Sequence, residues 1–206
     1  MLSQTRGKAA YFEAALELLA ADGADGLTQA ALCERLYVTT GAFYHHFGSM
    51  GEFLAAFAES RRLHYVGVHD GVEREPDPVR RIEALGEAFL AMSHTAEAAY
   101  RGWGNTNPVI KETLTGLDRR AVEIMAEAIT ELHGDRARAE LLADMALSLA
   151  IGIQQRDRSA DPARVVDIIV EWYRSCLHLD AQVVEVAGET SLRLRRPVTG
   201  MGTDGQ

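Results

Sequence analysis

Three observations predict an all-α protein. Apolar residues recur at three- and four-residue spacing in nearly every segment. Glycine- and proline-rich breaks punctuate those segments, and strand-like alternation is confined to the tail. The expected architecture is an N-terminal three-helix helix-turn-helix domain joined to a larger C-terminal helical domain. The boundaries fall at 1–48 for the first domain, 49–75 for a connecting helix and linker, 76–180 for the second domain and 181–206 for a tail.

Each element follows from its spacing. Phe12, Leu16 and Leu19, widened by Ala15 and Leu18, make residues 4–22 an amphipathic helix that Gly23 and Gly26 close. Thr28 is an N-cap for a short helix whose apolar members are Ala31, Leu32 and Leu36. Thr39 or Thr40 caps the next, and Ser49 caps a longer helix holding Phe53, Leu54, Phe57 and, at its far end, Leu63. GVHDGVEREPDP, residues 67–78, reads as a polar break. Beyond it, residues 79–99 carry Ile82, Leu85, Phe89 and Met92 on one stripe, RGWGNTNP (101–108) is a loop, and 109–132, 136–155 and 163–179 are helices. In the tail, VVEVAGETSLRLR alternates about an AGE turn, consistent with a small hairpin or with disorder.

Composition narrows the function classes. The chain has 206 residues, 47% of them hydrophobic and 25% charged, as in ordinary globular proteins. Its net charge of −9 provides no whole-chain positive field for non-specific nucleic-acid binding. Cys33 and Cys176 lie far apart and outside any CxxC spacing, so a disulfide scaffold is not expected and a reducing compartment is. Glu13 and Glu17 interrupt the first apolar run, so an amphipathic helix rather than a signal peptide is expected there, and no run is long enough to span a bilayer. A cytoplasmic protein without a membrane partner is expected. GMGTDG (200–205) satisfies GxGxxG, but no helix follows it, so it is not a dinucleotide turn and no cofactor is expected. His45 and His46 diverge by about 100° on a helix and have no carboxylate or thiol to complete a metal set. No HExxH, no GxSxG and no serine–histidine–acid grouping points to an enzyme.

The segment TTGAFYHHFGSM, residues 39–50, carries the sharpest signal. Helices at 28–35 and 39–46 joined by LYVT make a helix-turn-helix. Leu32, Leu36, Val38, Phe43 and Phe47 form its core, because Phe43 and Phe47 are four apart and share a face. Thr39, Thr40, Ala42, Tyr44 and His45 are left on the outer face, the arrangement that enters a major groove. Thr28, Gln29, Gly41 and His46 complete the candidate DNA-binding set. For Gly41, plain tolerance in a helix and close approach of its backbone to DNA both remain open.

AALELLAADG, followed by LTQAALCERLYVTTGAFYHHFGSMGEFLAAF, resembles the TetR family of bacterial transcriptional regulators over residues 10–57. The resemblance implies a homodimer that binds a palindromic double-stranded DNA operator and is released by a small-molecule effector. Residues 79–180 fit the family's divergent ligand-binding and dimerisation domain. The chain departs from the family pattern in carrying Tyr37 where glycine is common, Met50 where lysine is common, and Ala30 where a basic or polar residue is common. Over residues 1–62, five basic residues (Arg6, Lys8, Arg35, Arg61, Arg62) face seven acidic ones (Glu13, Glu17, Asp22, Asp25, Glu34, Glu52, Glu59). Phosphate contacts must then come from amides, hydroxyls and histidines, or affinity is weak.

In the second domain, Phe89, Met92, His94, Tyr100, Trp103, Met125, Met145, Gln154 and Trp172 are candidate ligand-binding residues. They combine rings, thioethers and a few polar tips, although the same residues also serve as plain helical core. In 163–179, Val165, Ile168, Ile169, Trp172, Cys176 and Leu179 form one stripe, and Val166, Val170, Tyr173 and Leu177 another. A helix apolar on two faces needs two partners, one of them a second subunit. The small residues Ala143, Ala146, Ala150 and Gly152 on the preceding helix would permit its close approach. The function classes are therefore a ligand-responsive DNA-binding regulator, a helical ligand-binding or interaction module with weak or lost DNA binding, and, least supported, an enzyme.

Overall fold

The computed structural model describes residues 7–156, 162–186 and 189–197. Residues 1–6, the DRSA segment and the GMGTDG motif fall outside these. Among the described residues the chain runs α1 (Lys8–Asp22), a 3-10 turn (Ala24–Gly26), α2 (Gln29–Leu36), α3 (Thr40–His46), α4 (Met50–Glu73), α5 (Pro78–Ala91), α6 (His94–Gly104), α7 (Pro108–His133), α8 (Arg136–Arg156), α9 (Pro162–Leu177), β1 (Asp180–Val186) and β2 (Glu189–Arg195). The all-α class expected from periodicity is the observed one, with a single two-stranded sheet. No described helix is long and apolar enough to cross a membrane.

The chain forms two compact units. The first contains Met1–Asp70, Met92–Arg120 and Ile151–Arg158; the second contains Gly71–Ala91, Ala121–Ala150 and Ser159–Gln206. In the first, α1 packs against α2 and α6, and the core joins Leu19, Leu32 and Leu36 to the rings of Tyr11, Phe43, Phe47, Phe53 and Phe57. The buried face of α1 is centred on Tyr11 and Ala15, while Phe12 and Leu16, placed at the centre by sequence spacing, are only partly buried.

Three boundaries differ from the sequence reading. α4 does not end near Leu63 but continues through Gly67 and Gly71 to Glu73, because a glycine inside a helix costs only about 1 kcal/mol against the hydrogen bonds that ending it would lose. The expected helix 79–99 is two helices. The Ser93 hydroxyl accepts the Ala96 N–H at 3.4 Å and restarts the chain as α6, a local cap that overrides the apolar stripe. The expected loop 101–108 is largely helix: α6 runs through Trp103 to Gly104, and α7 starts at Pro108 behind an Asn107 side chain that accepts the Val109 and Ile110 N–H groups.

In the second unit, β1 pairs antiparallel with β2 in the register Asp180↔Arg195 to Val186↔Glu189. β2 lies on α5, and β1 lies beside α9. Leu192 and Leu194 point into the core while Arg193 and Arg195 point out, the period of two that a strand imposes. His178, at φ 53, turns the chain out of α9, and Arg174 Nη2 donates to the Ala181 carbonyl at 2.9 Å. α9 buries Val165, Ile169, Tyr173 and Leu177, a stripe that cuts across the two drawn from sequence. Ile168, Trp172 and Cys176, with Val166 and Val170, are half-buried. On α8, Leu141 and Met145 are exposed, whereas Ala143 is buried within its own chain and is not available to a partner.

Candidate nucleic-acid interface and effector residues

The helix-turn-helix is assembled by capping and by one strained residue. Thr28 Oγ1 accepts the Ala31 N–H at 3.2 Å and starts α2; Thr39 Oγ1 accepts the Ala42 N–H at 3.2 Å and starts α3. Each hydroxyl keeps its hydrogen to donate outward. Between the helices Tyr37 sits at φ 55, ψ 44, the left-handed region that favours glycine, with its ring 92% exposed. The cost is roughly 1 kcal/mol. It allows Val38 N–H to reach the Cys33 carbonyl at 2.9 Å, closing α2.

Phe43 and Phe47 turn inward, as their spacing requires. Thr39, Thr40, Gly41 and His45 are exposed, Tyr44 is half-exposed, and Ala42 is partly covered. The Tyr44 hydroxyl donates to Gln29 Oε1 at 3.3 Å, so one side chain from each helix is tied into a single outer surface. His46 is half-buried, its ring 5.5 Å from that of Tyr11. A Cβ on Gly41 would meet only Thr39 Oγ1, at an ordinary 3.7 Å, so nothing in the chain itself requires a glycine there.

Electrostatics on this surface are lean. Arg35 pairs with Glu17 and Arg62 with Glu59, both on the surface. Arg61 pairs with Glu97 in the interior, and Lys8 lies 5.2 Å over the Phe47 ring. At the start of α4, Ser49 Oγ accepts the Glu52 N–H at 3.1 Å while the Glu52 carboxylate accepts the Gly48 N–H at 2.9 Å. A carboxylate of the chain itself thus occupies a helix N-terminus that would otherwise favour a phosphate. Met50, at the family's lysine position, is partly buried against the core.

The candidate effector residues divide between the two units. Met92, His94, Tyr100, Trp103 and Gln154 belong to the first; Phe89, Met125, Met145 and Trp172 belong to the second. In the first, Gln154 Nε2 lies 3.1 Å from Met92 Sδ, and the Tyr100 and Trp103 rings are 6.2 Å apart, edge to face. The Tyr100 hydroxyl and Gln154 Oε1 are buried and find no hydrogen-bond partner among the described residues. Burial pushes the Tyr100 hydroxyl up to about 12, so it is a donor at neutral pH. His94 is half-buried, and burial lowers its pKa against the opposing pull of Glu97. In the second unit Met125 is buried, Phe89 and Trp172 are half-buried, and Met145 is 44% exposed.

Sequence reasoning passed over the buried polar group between α4 and α6. Arg61 donates to Glu97 and, at 2.9 Å, to the Tyr65 hydroxyl, which burial and the Glu97 charge together push far above the usual tyrosine range. Arg101 forms a two-bonded pair with Asp118 at 2.7 and 2.8 Å. The available signal was Glu97, a lone acid inside the small-residue run AMSHTAEAAY. Among the described residues no group of three or more His, Cys, Asp or Glu could hold a metal ion.

An exposed second helix carried on a ring-filled three-helix core is the geometry of a helix-turn-helix domain. Residues 12–57 match the family model described as bacterial regulatory proteins, tetR family. Over those residues the chain carries the N-terminal domain of the TetR family of bacterial transcriptional regulators. No protein of curated function is detectably similar in sequence. Among solved structures, a transcriptional regulator from Rhodococcus sp. Rha1 superposes with a TM-score of 0.68 at 18% identity, covering 84% of this chain and 97% of its own. A TetR transcription regulator from Haloarcula marismortui gives 0.63 at 16% identity, covering 85% and 99%. The multidrug binding protein EbrR, solved with malachite green, gives 0.54 at 14% identity, covering 80% and 96%. At these identities the likeness is one of fold.

Proposed function

We propose that the protein is a cytoplasmic, non-enzymatic, ligand-responsive repressor that binds a palindromic operator as a homodimer and leaves it when a small molecule binds. The observation that carries this reading is the outer face of α3, where Thr39, Thr40, Tyr44 and His45 stand exposed behind a rigid ring core. Thr28 and Gln29 on α2, with Gly41, Ala42 and His46, complete the DNA-facing set. Residues 1–48 read the operator, 49–75 connect, 76–180 take the effector and the second subunit, and the tail follows from 181.

The effector reading rests on unsatisfied chemistry. A buried hydroxyl and a buried amide oxygen, Tyr100 and Gln154, are costly unless something supplies their bonds. Met92, His94 and Trp103 lie near Tyr100 in sequence and in the same unit; Phe89, Met125, Met145 and Trp172 are separate candidates in the second unit. EbrR, with its bound dye, shares this fold. Dimerisation is supported by Leu141 and Met145, exposed on α8, and by Ile168, Trp172 and Cys176 on α9.

The test is a mobility-shift titration with DNA flanking the protein's own gene. Tyr44→Ala and His45→Ala should each weaken operator binding while leaving the unfolding midpoint nearly unchanged; undiminished affinity in both would refute the assignment. One observation favours a second reading, a helical effector-binding module with weak DNA binding: the five basic residues of 1–62 are outnumbered by seven acids, and Arg35, Arg61 and Arg62 are already paired. A shallow dependence of log affinity on log salt fits either reading; failure to shift any flanking DNA selects the second.

A further inference from the structure

The second unit carries a cleft of ≈ 780 Å³ between the first turns of α5 and strand β2, lined by four arginines and three acids. The acids are already engaged. Asp77 Oδ1 accepts the N–H groups of Val79 and Arg80 at 2.8 and 3.2 Å. Glu83 accepts the Leu194 N–H at 2.6 Å and faces Arg193 at 3.5 Å; Glu87 accepts from Ser191 at 2.7 Å and from Arg193 at 2.9 Å. Of the arginines, only Arg193 is consumed by these bonds. Arg80, Arg195 and Arg196 are exposed and form no ion pair among the described residues. Asp180 stands opposite Arg195 in the strand ladder without pairing to it.

The walls are fixed. A Cβ on Gly86 would collide with the Tyr173 hydroxyl and lie 2.6 Å from Leu192 Cδ2, so the hairpin sits directly on α5, with Leu192 and Leu194 buried beneath it. In a chain of net charge −9, three unpaired guanidiniums on a rigid concave surface stand out against the background field. Each presents a planar fork that matches phosphate or carboxylate oxygens. We propose that this cleft binds a small polyanion, a molecule bearing two or more phosphate or carboxylate groups, through Arg80, Arg195 and Arg196. Its concavity and the Asp77 and Glu87 carboxylates in its lining favour a small molecule over duplex DNA, whose uniform phosphate charge would meet those acids as well.

Titration calorimetry of the full chain at low ionic strength, with inorganic pyrophosphate in one arm and citrate in the other, tests this. Saturable binding of one anion per chain is expected in at least one arm. Arg80→Gln and Arg195→Gln should each weaken it by about tenfold, the loss of one charge-assisted contact. Arg136→Gln, which removes an exposed arginine paired elsewhere with Glu140, should leave it unchanged. No saturable heat in either arm overturns the proposal, as does equal loss in Arg136→Gln or full binding by the triple variant R80Q/R195Q/R196Q. Loss of operator affinity in the triple variant, without anion binding by the parent, would assign the arginines to DNA and also overturn it. Near-UV circular dichroism of each variant verifies that the exposed substitutions leave packing intact.

Discussion

Two neighbouring clusters in the first unit are held together by opposite means. Around Phe43, the rings of Tyr11, Phe47, Phe53 and Phe57 pack at centroid distances from 5.1 to 6.1 Å, mostly tilted or edge to face. Phe57 touches Tyr100 at 6.0 Å, and there the character changes: Arg61, Glu97 and the half-buried Arg101–Asp118 pair are charged groups largely withdrawn from water, with the neutral Tyr65 hydroxyl bonded among them. Ring packing gains from every contact and owes little to pH or salt. A buried ion pair is near break-even when complete and costly when one member is lost. The first cluster therefore holds the helix-turn-helix in shape. The second is conditional: its stability depends on every partner being present.

The largest test of that contrast is Phe43→Ala, which should cost about 3–5 kcal/mol in urea unfolding, whereas Tyr44→Ala, one residue along and outward, should change stability by no more than about 0.5 kcal/mol. Equal losses would mean that α3 does not divide into inner and outer faces. Next, Glu97→Ala should cost about 3 kcal/mol by stranding Arg61, and the double variant R61M/E97L should recover most of it. A double variant as unstable as the single would show that the pair contributes net stability, contrary to the contrast drawn. Smaller again, Tyr100→Phe should raise stability by about 1 kcal/mol, since it deletes a buried hydroxyl that has no partner among the described residues. A loss of stability would mean that the hydroxyl is satisfied in the folded protein.

The smallest expected effect is that of pH. Burial depresses the His94 pKa, so the unfolded chain takes up its proton first. The contribution of His94 is then intact above the ordinary histidine value of about 6.5 and declines as pH falls below it. His94→Gln should flatten that part of the stability–pH profile, and an unchanged slope would remove His94 from the account.

Much of the fold was legible because periodicity and caps are local signals. Thr28, Thr39 and Ser49 each act where the sequence placed a cap, and Phe43 and Phe47 face the core that their spacing demands. Tyr37, where the family commonly has glycine, takes the positive φ that glycine would hold without strain. What failed was arbitration between signals. Gly67, Gly71 and Gly102 read as breaks, yet the helices run through them, because a lone glycine costs only about 1 kcal/mol against the hydrogen bonds it would interrupt. Ser93 read as helix interior, yet it caps. The candidate site was less legible. Spacing could divide α3 into faces, but the burial of Tyr100 and Gln154 and the partnership of Arg61 with Glu97 arise from residues 36 to 62 positions apart. One-dimensional periodicity does not carry such pairings. For α9, mixed stripes allowed two assignments, and only packing chose Val165, Ile169, Tyr173 and Leu177.

The seating of β2 on α5 has a consequence for the timing of synthesis. Ser191 meets Glu87 across 104 residues of chain, and Leu194 meets Glu83 across 111. At roughly 5–20 residues per second, the ribosome completes α5 about 5–20 s before it makes the strand that covers it. During that interval the bare backbone at Gly86 lacks the Leu192 side chain that later covers it, and Glu83 lacks the Leu194 N–H. The first unit's ring core, by contrast, is encoded almost entirely before residue 60 and can form early. The nascent chain thus carries an early ring core while the face of α5 waits for its strand, and it is there that a chaperone would find apolar surface to hold.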